Sequence, residues 1–245
     1  MNKSSIGSRG LLKSLKRQAR KPFLRPPVGG VNLGDLDRSS PISANWGFER
    51  GLPLDRHYIE AFLARHQLDV RGRALEIQDD RYTKLFGEGQ VTKSDILHYG
   101  PGNPGATIVA DLSDGAEIPS NAFDCIICTQ TLNLIFDLGA ALRTVRRILA
   151  PGGVLLATVP AVCRDASGKE DIFEDYWRFT SASSRRLTKQ HFPQDDVTIS
   201  SYGNVYAAVA FLHGLALEEL DVTKLDAHDP KIEVIIGWRV KKSAD

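Results

Sequence analysis

Arg73-Ala74-Leu75-Glu76-Ile77-Gln78-Asp79-Asp80 decides the reading of this chain. Ala74–Ile77 is apolar except for one acid, too short for a helix and suited to a buried strand, and the residues after it are polar and turn-forming. In an open α/β sheet, ligands bind outside the carboxyl ends of the strands, so the residues just past each strand carry the chemistry. Here that position holds Glu76, Gln78, Asp79 and Asp80.

Outward from this point the same grammar repeats. Val91–Ile96 reads as a second strand and Thr107–Ala110 as a third, ending at Asp111. Phe123–Thr129 is a fourth, Leu138–Leu149 a helix, and Val154–Val159 a fifth strand after the turn Pro151-Gly152-Gly153. Ser181–His191 reads as a helix, Val197–Tyr202 as a strand, Val205–Leu217 as a helix and Ile232–Val240 as a final strand. Upstream, Leu54, Tyr58, Ile59, Phe62 and Leu63 recur at helical spacing. Apolar strands alternating with helices form a mostly parallel sheet covered on both faces. The expected division is a basic tail over 1–40, a helical cap over 41–70 and an α/β domain over 71–245.

The composition is that of an ordinary globular protein: 245 residues, 42% hydrophobic and 25% charged, with net charge +1. Residues 1–34 carry eight basic and no acidic side chains, so the remainder is near −7. An acidic body disfavours a nucleic-acid binder, which needs a basic face. The tail reads as a solvated segment, as a Ser- and Arg-rich, acid-poor transit peptide or, through Leu11, Leu12 and Leu15, as a peripheral contact with a membrane surface. No apolar run approaches the ~20 residues of a membrane span. Three cysteines form no closed disulfide framework, which favours a reducing, cytoplasmic setting.

The strand tips suggest a nucleoside. Asp95 lies nineteen residues beyond Glu76, the spacing at which an acid holds a ribose diol. Asp111, Thr129 and Gln130 come after later strands, although Asp95 and Asp111 read equally as caps or turn starters. No glycine lies between Gly72 and Gly87, so a dinucleotide pyrophosphate has no bare backbone to approach, and Asp79 and Asp80 would repel it. A phosphate-free, cationic adenosine such as S-adenosylmethionine suits this turn better than a nicotinamide dinucleotide.

The ordered series Ala74–Ile77, Asp95, Asp111-Leu112, Phe123–Thr129 and Leu149-Ala150-Pro151-Gly152-Gly153-Val154-Leu155 resembles the class I S-adenosylmethionine-dependent methyltransferases. Arg50–Arg56 and Asp175-Tyr176-Trp177-Arg178-Phe179-Thr180 resemble those associated with glycosyltransferases in bacterial polysaccharide biosynthesis. The resemblance implies a Rossmann-like fold whose mostly parallel seven-stranded sheet has an antiparallel last strand. It implies S-adenosylmethionine as cofactor, a saccharide or related small metabolite as acceptor, and a glycosyltransferase as partner. Glu76 would lie by the methionine moiety and Asp95 by the ribose, with Gln78, Asp79 and Ile96 also in the cofactor site. Asp111 and Leu112 would meet the adenine, with Thr129 and Gln130 near the methyl group. Apart from the resemblance, Arg56 and Tyr58 on the helix before the sheet read either as a cover over the cofactor or as a surface helix face. Gln78 stands where the family carries glycine. Either a wider loop brings a side chain to the ligand, or binding is lost and the chain is a catalytically silent module of a glycan-assembly complex.

On the acceptor side, Asp175, Tyr176 and Arg178 offer a ring face and polar partners, and Trp177 is either a second platform or an anchor. His98, after the second strand, reads as a cleft-facing base or as plain surface, and His213 reads as a satisfied core residue. Cys125 and Cys128 spell C-x-x-C within a strand, so they point to opposite faces and share neither a disulfide nor a metal. No metal site is expected.

Overall fold

The computed structural model describes residues 25–167 and 174–244. The chain divides into two units, Met1–Ser39 and Ser40–Asp245. In the first, the described residues hold a single 3-10 turn, Gly34–Leu36, with no buried side chain. The leucines of the basic tail lie outside the described residues.

The second unit is built on a seven-stranded sheet. In chain order the strands are β1 (Gly72–Ile77), β2 (Val91–His98), β3 (Ile108–Val109), β4 (Phe123–Thr129), β5 (Leu149–Pro160), β6 (Asp196–Tyr202) and β7 (Ile235–Lys241). They lie in the order β3-β2-β1-β4-β5-β7-β6. All neighbours are parallel until β7, which runs antiparallel to both β5 and β6. The strand order reverses between β1 and β4, the point at which such sheets open a crevice for ligands.

Alternation along the strands creates two cores. On one face Leu75, Ile126, Cys128 and Leu155 pack with Leu138, Ala141, Leu142, Val145 and Ile148 of helix α3 (Leu138–Ile148). On the other, Ala74, Cys125, Ile127 and Leu156 pack with Ile59, Phe62 and Leu63 of helix α1 (Asp55–Arg65). Gly237 makes room for this contact, since a Cβ there would lie 2.5 Å from the Phe62 ring. Residues 40–70 therefore share one compact unit with the sheet. Cys125 and Cys128 fall in different cores, and burial pushes both thiols up, Cys128 to about 12.

Several boundaries differ from the sequence reading, each for a local reason. Helix α3 stops at Ile148 because Leu149 already pairs with Phe123. Pairing then jumps to Val154 opposite Cys125, so Pro151-Gly152-Gly153 bulges out of β5 instead of preceding it. Helix α5 (Val205–His213) ends four residues early, at Gly214, whose left-handed φ of +69° closes the helix. The remaining helices are α2 (Arg81–Phe86), α4 (Ser181–His191) and α6 (Val222–Leu225). Helix α2 was not expected from periodicity. Its first amides have no cap from Asp80 and are satisfied instead by Glu76 of β1.

Candidate functional site

The carboxyl ends of β1, β2, β3 and β4 border one cleft of about 810 Å³, within the ~300–1,000 Å³ of small-molecule sites. Glu76 sits at its base, 2% exposed. Its carboxylate accepts the Tyr82 amide at 3.1 Å and the Thr83 amide at 2.7 Å, which fixes both the acid and the start of α2. Burial raises its pKa to about 7, against the opposing pull of those amides.

Gln78 comes next, with φ of +81°. Side chains rarely adopt this left-handed backbone, and glycine adopts it freely. The turn is held from two sides: the Gln78 amide donates to the Leu97 carbonyl at 2.9 Å, and Asn103 Nδ2 donates to the Gln78 carbonyl at 2.7 Å. Asp79 also lines the cleft and accepts the Arg81 amide.

Asp111 and buried Leu112 form the wall after β3, where Asp111 accepts both the amide and the hydroxyl of Ser113. Thr129 and Gln130 form the floor at the end of β4. The Gln130 amide donates to the Thr158 carbonyl at 2.8 Å, and its φ is +49°.

Other expected residues lie elsewhere. Asp95 is inside β2, not at its tip, because that strand runs on to His98. Its carboxylate accepts Arg73 Nε at 2.7 Å and the Thr107 hydroxyl at 2.9 Å, and it does not line the cleft. Ile96 is likewise internal to β2 and outside the lining. Tyr58 is buried and donates its hydroxyl to the Leu225 carbonyl, so Arg56 reaches the cleft in its place. His98 turns back on Gly100 and does not line the cleft.

On the acceptor side only Tyr176 of the expected catalytic group reaches the cleft. Asp175 and Arg178 neutralise each other through bonds of 2.6 and 2.8 Å. Asp175 also accepts Asn133 Nδ2 and the Ala166 amide, so the pair shapes the loop rather than meeting a ligand. Trp177 donates its indole N–H to the Ile135 carbonyl and stacks on Phe136. His213 is only partly buried, and its Nδ1 has no partner among the described residues.

The sequence reading missed Tyr99, Tyr82, Phe136 and Glu174, all of which line the cleft. Applying the strand-end rule to the true end of β2 would have found Tyr99. Arg56 donates to the Tyr82 hydroxyl at 3.2 Å. Burial opposes the Arg56 charge, but nearby Asp55 and Tyr82 hold it.

Residues 87–157 match the family model described as a methyltransferase domain. An S-adenosylmethionine-dependent methyltransferase from Mesorhizobium loti superposes with TM-score 0.50 at 14% identity, over 77% of this chain and 98% of that one. This chain has the class I methyltransferase fold. S-adenosylmethionine is the cofactor of that Mesorhizobium loti protein. The 4+2 cyclase SpnF superposes equally well, with TM-score 0.51 at 14% identity over 80% of this chain and 84% of that one. No curated protein matches the chain by sequence. At such identities the likeness is one of fold, and what this chain does has to be argued from its cleft.

The cleft fits that cofactor at two of its three parts. A buried carboxylate titrating near neutrality suits an ammonium, and Asp111 with Leu112 suits an adenine edge and face. At the ribose position the end of β2 presents Tyr99 rather than an acid.

Proposed function

We propose that this chain transfers a methyl group from S-adenosylmethionine to a hydroxyl of a saccharide or related small metabolite. The observation that carries the reading is the convergence on one cleft of buried Glu76, the left-handed turn at Gln78, the Asp111-Leu112 wall and an aromatic rim at Phe136 and Tyr176. Arg56 and Tyr176 come from the two fragments that resemble polysaccharide-associated methyltransferases, and both line this cleft. That supports a setting in glycan assembly, with a glycosyltransferase as partner.

When bound, the cofactor supplies a methyl carbon activated by its sulfonium. The chain's part is alignment and exclusion of water. Glu76 offers negative charge at the end of β1, and Leu97, Leu112 and Leu134 make the walls apolar. Tyr176 and Phe136 give a ring-shaped acceptor a face to rest on.

A second reading, a silent methyltransferase-like module, is favoured by the non-glycine residue at position 78 and the missing acid at the end of β2. Calorimetry with S-adenosylhomocysteine separates the two. Binding at micromolar ligand supports the enzyme, and no heat at millimolar ligand supports the module. Transfer of a labelled methyl group to a saccharide panel then tests the acceptor.

A further inference from the structure

We infer that the acceptor is a ring compound bearing a positively charged amine, read by an aromatic and acidic rim at the mouth of the cleft. The inference rests on the methyltransferase reading only in calling this second ligand the acceptor. In the saccharide reading it corresponds to an amino sugar.

Four large aromatic side chains stand exposed together: Phe136 at 69%, Tyr99 at 64%, Tyr176 at 42% and Trp177 at 39%. Phe136 is the hub, with its ring centroid 5.2 Å from Tyr176 and 6.2 Å from Trp177. Tyr99 lies close enough to Tyr176 to act on its phenol. Exposed apolar residues scattered singly need no explanation, but a cluster at a cleft mouth marks a binding surface.

Two carboxylates flank this cluster, and Arg143, which approaches Gly139 beside Asp137, does not line the cleft. Glu174 lines the cleft two residues before Tyr176 and raises the pKa of its phenol, and Asp137 lines it at the start of α3. The basic group nearest in sequence, Arg178, is spent on Asp175 and on the carbonyls of Trp177 and Arg164. Arg81 and Arg56 belong to the opposite flank, on α2 and α1, where they engage Glu60 and Tyr82. An anionic acceptor would therefore meet like charge and negative ring faces. A neutral ring would gain stacking alone. A cation gains the ring quadrupoles and the carboxylate together.

The test uses the full chain with saturating S-adenosylhomocysteine and three probes of one shape: cyclohexylammonium, cyclohexanol and cyclohexanecarboxylate. Ligand-detected magnetic resonance titrations should find the ammonium bound about fivefold to tenfold more tightly than the alcohol, with the carboxylate weakest. Phe136→Ala should weaken both, the ammonium more than the alcohol, whereas Glu174→Gln should weaken only the ammonium. Both side chains are on the surface, and unchanged melting temperatures confirm intact folds. Carboxylate binding as tight as that of the ammonium, no ammonium binding at tens of millimolar, or indifference to Glu174→Gln overturns the inference. Titration of S-adenosylhomocysteine alone keeps the two readings apart. Its binding without an ammonium preference sinks only this inference, and the preference without its binding sinks only the methyltransferase reading.

Discussion

Arg73 and Asp95 hold each other across neighbouring strands, with guanidinium Nε donating to carboxylate Oδ2 at 2.7 Å, inside the sheet and short of the tips that border the cleft. Asp95 is 3% exposed at its side chain, and the Arg73 guanidinium also lies over the Phe123 ring. An acid so placed belongs to the fold.

Asp95→Ala should therefore lower stability by about 2–3 kcal/mol, because it strands a partly buried guanidinium. Affinity for S-adenosylhomocysteine should not change. Burial would push the Asp95 carboxyl up, but Arg73, Thr107 and Lys93 hold it below the usual aspartate range. A depressed acid stabilises above the unfolded-state value and ceases to do so as pH falls through the folded value. The gap between variant and parent should thus close in acid. Chemical denaturation across pH, paired with calorimetry, checks both parts, and a variant that melts normally but binds poorly would return Asp95 to the site.

Gln78→Gly should raise stability by up to about 1 kcal/mol. Relief of a left-handed side-chain residue contributes about 1–2 kcal/mol, from which the greater freedom of glycine in the unfolded chain subtracts. Cofactor affinity should hold or improve. Gln78→Val, whose branched side chain suits this backbone least, should destabilise. A marked loss of affinity in the glycine variant would mean that the Gln78 amide itself contacts the ligand.

The parallel sheet was legible because each central strand is an apolar run that ends in polar residues, and Glu76, Asp111 and Thr129 sit at such ends. The end of β2 was misread because only Val91, Ile96 and Leu97 of it are apolar, too sparse a signal to mark where pairing stops, and pairing continues through Leu97 and His98. Two residues of extension moved the strand's end from Ile96 to His98, which leaves Asp95 inside the strand and puts Tyr99 just past it. Helix α2 escaped notice because its capping group is Glu76, in the preceding strand, rather than a neighbour in sequence. The fate of Asp175 and Arg178 was equally hidden. Their types suit a ligand, and only the fold reveals that they are each other's partners.

The native protein should expose at most one slowly reacting thiol to an aromatic disulfide reagent, and three after unfolding. Burial raises Cys128 to about 12 and half-buried Cys163 to about 11, so neither holds much thiolate near neutrality. Cys125 is also pushed up by burial and lies in the opposite core. Rapid labelling of two native thiols, or protection by chelated zinc, would contradict the assignment of the C-x-x-C pair to packing.

Cofactor binding should depend on pH through Glu76. Its folded-state pKa of about 7 lies above the ordinary 4.5, so the folded protein keeps a proton that the unfolded chain has released. Stability of the free protein should therefore fall as pH rises from about 4.5 to 7 and level off above that. An ammonium brought to the carboxylate reverses the preference by favouring the ionised acid. Affinity for S-adenosylhomocysteine should then be about tenfold weaker at pH 6 than at pH 8, in step with the ionised fraction of a group titrating near 7. Methylthioadenosine, which lacks the amino-acid end, should bind with no such slope. Equal slopes for the two ligands would place the ammonium away from Glu76, and a flat profile for both would mean that Glu76 serves only to hold the Tyr82 and Thr83 amides at the start of α2.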